Sequence, residues 1–137
     1  MFKESRLVIA LLLVMTTGRF AIAALGYFFP AFSTQIYGFD FEPQDPVWYF
    51  VRVWAGRDMI ISLLVLTSRR DYLVPLLVAC IGVEISDLVS SYLAYQSGAL
   101  DADHYVAQLW TIIAPALAPE TLALLLILRA RAKAARA

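Results

Sequence analysis

The chain holds a single cysteine, Cys80, and a single histidine, His104, so the two residue types that most often build disulfides and zinc sites are nearly missing. No internal disulfide can form, and Cys80, in the middle of an apolar run, reads as a small core residue. His104 stands beside Asp101 and Asp103, but one histidine with loop carboxylates matches no metal-ligand spacing and reads as a surface residue at a helix start. There is no H-E-x-x-H, no C-x-x-C, no Gly-rich phosphate loop and no Gly-x-Ser-x-Gly, so the enzyme classes that depend on those motifs find no support. No metal or cofactor is expected. Charge is scarce as well: 16% of the 137 residues are charged and 61% are hydrophobic, a balance that no ordinary soluble domain of this size keeps in solution.

What is present is a set of four long apolar runs, which predicts an all-α integral membrane protein: one antiparallel bundle of four transmembrane helices in a single domain over 1–137. The helices are expected at about 7–29, 47–66, 72–95 and 102–128, followed by a basic tail, 129–137, that continues the last helix. The first run also resembles a signal peptide, with Lys3 and Arg6 before Leu7 to Met15 and an Ala21-Ile-Ala23 site. Arg19 and the apolar residues up to Phe29 argue for a retained helix. Pro30 to Pro46 reads as a long aromatic connection that rests on the membrane interface, with a cap over the mouth of the bundle as the alternative. Asp45-Pro46 and Asp101 are natural helix starts. The Ser68 to Asp71 turn is so short that the second and third helices should be antiparallel neighbours.

Net charge is zero, yet its distribution is one-sided. Lys3, Arg6, Arg69, Arg70, Arg129, Arg131, Lys133 and Arg136 fall at one end, with only Glu4 and Asp71 to oppose them. Asp40, Glu42, Asp45, Asp101 and Asp103 fall at the other end, with no basic residue. The positive-inside rule then places both termini in the cytoplasm. The basic tail fits anionic lipid better than nucleic acid, for which there is no support.

Charges also occur inside the apolar runs: Arg19 on the first, Arg52, Arg57 and Asp58 on the second, Glu84 and Asp87 on the third, Glu120 on the fourth. A charge at the bilayer centre costs roughly 2.5–3.5 kcal/mol even on lenient scales, so it normally meets a partner charge, a cavity or a ligand. Counted from the helix ends, Arg19, Arg57, Glu84 and Glu120 lie about 12–18 Å deep, near one midplane layer. Glu84 and Asp87 share a helix face with Cys80 and Ser91, and the adjacent Arg57 and Asp58 point about 100° apart, toward different neighbours. Arg52 sits near the outer end and should snorkel. Pro115 and Pro119 predict a kink beside Glu120. Gly18, Ala21, Gly26, Gly56 and Gly82 read as close helix contacts. The layer is open to two readings: an ion-pair network that sets helix order, or a binding or acid/base site built from Arg19, Arg57, Asp58, Glu84, Asp87 and Glu120.

The run Arg52-x-x-Ala55-Gly56-Arg57-Asp58, a threonine toward the end of that helix, and Glu84-x-x-Asp87 in the next resemble the small four-helix bacterial membrane proteins grouped as DUF4267, which are distantly similar to DoxX-like proteins. The resemblance covers the second and third helices and implies the architecture, a bacterial inner-membrane location and weight on the Arg57–Asp58 pair; it implies no substrate. Glu120 and the long outer connection are not part of it. The leading expectation is a non-enzymatic polytopic membrane protein, either a subunit of a larger assembly or a homo-oligomer. Its charged layer would pack helices and hold a lipid or lipophilic ligand. The alternatives are an acid-catalysed isomerase or cyclase acting on an isoprenoid-like lipid, with Glu84, Asp87 or Glu120 as the acid, and an oligomeric proton-coupled transporter.

Overall fold

The computed structural model describes residues 6–42 and 45–136. Lys3 and Glu4, which entered the charge balance above, lie outside them. The described residues form helices joined by turns, with no strand among them: α1 (Arg6–Phe28), α2 (Pro30–Ile36), α3 (Val47–Thr67), α4 (Arg70–Gln96), α5 (Ala102–Gln108) and α6 (Ala114–Ala134). A π-helical turn, Leu109–Ile113, joins α5 to α6, so Ala102–Ala134 is one continuous rod. Three stretches are long and apolar enough to cross a membrane: Arg6–Phe28, Asp71–Gln96 and Ala102–Ala134. α3 has the length, 21 residues, but with Arg52, Arg57 and Asp58 in it, it is not one of them.

Side chains turn inward with the spacing that keeps one helix face toward a partner. On α1 the buried positions are Val8, Leu12, Met15, Thr16, Arg19, Ala23 and Gly26, and on α3 they are Ala55, Asp58, Ser62 and Val65, all repeating at three or four residues. α4 buries Leu73, Leu77, Cys80 and Glu84, and α6 buries Glu120, Ala123 and Ile127. The next buried positions upstream on that rod, Ile113 and Gln108, are five apart, one more than a helical repeat allows. The π-turn absorbs the extra residue and keeps both side chains inside. Pro115 follows it directly, where a missing N–H and the ring's clash with an upstream carbonyl favour a widened turn.

α1 packs against α3 and α6, and α4 packs against α6. α3 and α4, although joined only by Ser68 and Arg69, make the sparsest contact of any neighbouring pair of long helices. The short turn therefore places their adjoining ends together without closing the seam along their length. One half of the bundle holds a dense apolar core of Leu12, Met15, Val65, Leu73, Leu77, Cys80, Ala123 and Ile127. These residues come from the end of the bundle that carries the α3–α4 turn and the tail of α6.

Two expectations need correction. The connection from Pro30 to Pro46 is not a loop throughout: α1 ends at Phe28, and Pro30 starts α2, because proline at the first helical position gives up no hydrogen bond. α2 closes with a paired Gly38 N–H to Gln35 O and Phe39 N–H to Thr34 O, at 3.0 and 2.9 Å, around Gly38 at φ +83°. A Cβ at Gly38 would also fall 2.5 Å from the His104 ring, so no larger residue fits. Gly18 and Gly82 are not contact glycines, since a Cβ on either meets nothing within 4 Å, and Ala21 is exposed. They lie off the inward stripe, whereas Gly26, on it, would place a Cβ 2.8 Å from Trp54.

Candidate functional site

Among the described residues the inward stripes carry charge at one level only, where each long helix contributes a charged residue: Arg19 from α1, Asp58 from α3, Glu84 from α4 and Glu120 from α6. Their exposures of 7, 5, 5 and 0% leave them almost entirely out of solvent. Arg19 holds the layer together. Its Nη2 donates to Glu84 Oε1 at 2.6 Å and to Glu120 Oε1 at 2.5 Å, and Nη1 lies 3.8 Å from Asp58 Oδ1. One guanidinium thus ties carboxylates from three other helices, a task suited to its planar fork of donors. Arg57 Nε donates to the same Asp58 oxygen at 3.0 Å from outside, with its side chain 45% exposed. Arg19 Nε and Nη1 and Glu120 Oε2 are buried without a hydrogen-bond partner among the described residues.

Asp87, one turn beyond Glu84, belongs to the same stripe but not to this network. It is half-buried where α3 and α4 part, and among the described residues no basic group pairs with it. Instead it borders two adjoining cavities. A smaller one, about 170 Å³, runs along Arg19, Asp58, Glu84, Thr111 and Pro115. A larger one, about 330 Å³, lies between α3 and α4 and is walled by Val47, Val51, Ser90, Ser91, Gln108 and Ile113. Trp54, Asp87 and Ile112 line both. The charged layer therefore divides the bundle into a packed half and a hollow one.

The chain after α2 roofs the larger cavity with Tyr37, Phe39 and Phe41. Phe39 and Phe41 stack at 5.9 Å, Phe41 meets Trp48 edge-on, and Tyr37 meets Trp54 edge-on at 6.0 Å. Gln108 fastens the roof: its Nε2 donates to Tyr37 O at 2.6 Å, and its Oε1 accepts from Ser91 Oγ at 2.8 Å. Of the two roles considered for this connection, the placement of these rings is that of a cap, while Phe32 and Ile36 stay exposed. Burial, offset in part by a hydrogen bond with Ser33, pushes the Tyr37 phenol up to about 12, so it stays protonated.

The remaining sequence candidates lie apart. Arg52 is exposed and its Nε donates to Tyr27 O at 3.4 Å. Cys80 is buried in the apolar core. Asp101 caps α5 by accepting from His104 N at 2.8 Å and contacts Nδ1 at 2.7 Å, which holds its carboxyl below the usual range. No group of three or more His, Cys, Asp or Glu among the described residues is placed to hold a metal ion. Gln108 and Trp54 do not stand out in the sequence, and Tyr37 does so only as one of the aromatic residues of the 30–46 connection; Gln108, an amide within an apolar run, carries a signal of its own.

No family model matches the chain, and neither the curated proteins nor the solved structures give a match.

Proposed function

We propose that this chain is a non-enzymatic membrane protein that holds a small lipophilic ligand in the cavity between α3 and α4, with the charged layer as its floor. The observation that carries this reading is the 330 Å³ cavity itself, apolar on most sides, roofed by aromatic rings and bordered by one carboxylate, Asp87. Ligand sites are typically concave, mainly apolar and supplied with a few fixed polar groups. The layer beneath is architectural. Arg19 engages Glu84 and Glu120, and a carboxylate already serving a buried guanidinium is poorly placed to act as a mobile acid.

In this reading all four long helices cross the bilayer of a bacterial inner membrane, antiparallel, with both ends cytoplasmic. α3 crosses despite its charges because Asp58 is matched by Arg19 and Arg57, and Arg52 lies toward its outer end. Arg57, half-exposed at this depth, supports assembly with a second copy or a partner protein, whose groups would satisfy the rest of its donors.

The test is native mass spectrometry of protein extracted gently from its own membranes, comparing the natural chain with Val51→Trp, which fills the cavity without touching the layer. A small lipophile that travels with the natural chain and is lost from a folded Val51→Trp supports the reading. A lipophile retained by that variant, or none in either, overturns the ligand role. A co-purifying protein independent of the substitution would make the chain an assembly subunit first.

A further inference from the structure

We propose that the ligand held at Asp87 is a lipophilic monocation: an alkyl or aryl body ending in an ammonium group. This rests on the ligand-holding function above and adds the charge class. Around the layer two arginines, Arg19 and Arg57, stand against four carboxylates, Asp58, Glu84, Asp87 and Glu120. Arg19 is committed to Glu84 and Glu120, with Asp58 alongside; Arg57 gives its Nε to Asp58 and turns much of its side chain outward, so the charge of both arginines reaches Asp87 but neither forms an ion pair with it. Asp87 is the carboxylate left over, and it is the one that borders the larger cavity.

No lysine or arginine lines that cavity. An anionic head placed there would meet Asp87 with like charge and desolvation both against it. A neutral head would leave the carboxylate unmatched. A cationic head answers it with a charge-assisted hydrogen bond, stronger in this apolar setting than in water. Trp54 and Tyr37, side by side at the cavity wall, add aromatic surface that attracts a cation. The apolar body then runs beneath Phe39 and Phe41 along Val51 and Ile113. A volume of 330 Å³ is at the small end of ligand pockets, which suits a single short chain or ring system and excludes a two-chain phospholipid.

Protonation of Asp87 is the competing way to neutralise it, and the two are separated by a head-group series on one chain. Octylamine, octanol and octanoate share an eight-carbon body, and at pH 7 they carry a positive, a neutral and a negative head. The protein is placed in zwitterionic lipid discs with Trp48→Phe and Trp110→Phe, so that emission from Trp54 reports cavity occupancy. Octylamine is expected to bind about tenfold or more tighter than octanol, and octanoate weakest. Asp87→Asn is expected to erase the preference for the amine while leaving octanol binding in place, and Asp87→Glu to keep it. Because bilayer partition is common to all variants, the change in the amine-to-alcohol ratio is the quantity read. Equal binding of amine and alcohol, or a preference that survives Asp87→Asn, overturns the charge assignment and leaves the cavity as a ligand site. No response of Trp54 to any of the three overturns both.

Discussion

At the scale of single residues, Arg19 and Arg57 invite comparison because they share Asp58 but not its surroundings. Arg19 is buried and, among the described residues, is the only cation paired with Glu84 and Glu120. Removing it leaves buried carboxylates without their partner, which typically costs about 3–5 kcal/mol. Arg57 is 45% exposed, and ion pairs of that kind contribute about 0–1 kcal/mol. Arg19→Ala is therefore expected to lower the thermal unfolding midpoint of the purified protein sharply, and Arg57→Ala to shift it slightly. Equal shifts would mean that the layer does not hold the helices. This part of the site was legible in the sequence: Arg19, Asp58, Glu84 and Glu120 combine similar depth with positions on inward stripes. What the sequence could not separate was Asp87 from Glu84. They are three residues apart on one face, and only the reach of Arg19 from α1 gives Glu84 an ion pair and leaves Asp87, at the edge of the larger cavity, without one.

At the scale of elements, the glycines show how a residue's meaning depends on the face it occupies. Gly26 and Gly18 are both on α1, and small residues on such helices read alike as sites of close approach. Only Gly26 looks toward α3, where a Cβ would fall 2.8 Å from Trp54 and 3.3 Å from Ala55. Gly26→Ala must move the indole ring that walls both cavities. It is expected to cost about 1–3 kcal/mol and to alter Trp54 emission, whereas Gly18→Ala stays within about 0.5 kcal/mol. Unfolding curves and emission spectra of the two variants check this, and a tolerated Gly26→Ala would show that Trp54 is free to shift. α2 escaped the sequence reading for a related reason: Pro30 ends one helix and begins the next, and proline alone does not say which. The π-turn has no residue signature beyond Pro115, although the five-residue step from Gln108 to Ile113 records it once the inward face is known.

At the scale of the whole molecule, the decisive element is α3, which the sequence reading counts as a crossing but which, with its charges, is not among the stretches apolar enough to be a candidate span. Left unpartnered, Arg57 and Asp58, the two charges near its middle, would oppose insertion by roughly 2.5–3.5 kcal/mol each. The bundle changes that sum, because Asp58 lies against Arg19 in the middle of α1 and Arg57 lies against Asp58. If α1 spans, the Arg19–Asp58 contact carries α3 into the bilayer with it. The arrangement predicts which loops share a side. With Cys80→Ala removing the buried natural thiol, single cysteines replace exposed Asp40, Arg69 and Ser97. A thiol reagent that does not cross membranes is applied to intact cells and to inverted vesicles. With four crossings, positions 40 and 97 react from the outside and position 69 from the inside. With only the three strongly apolar stretches crossing, 40 and 69 react from one side and 97 from the other, because α3 would then lie flat and return the chain to the face it left. That second pattern would pull Asp58 away from Arg19 and dissolve the layer, the cavity above it and the ligand reading together, so the labelling tests the electrostatic argument and the topology at once.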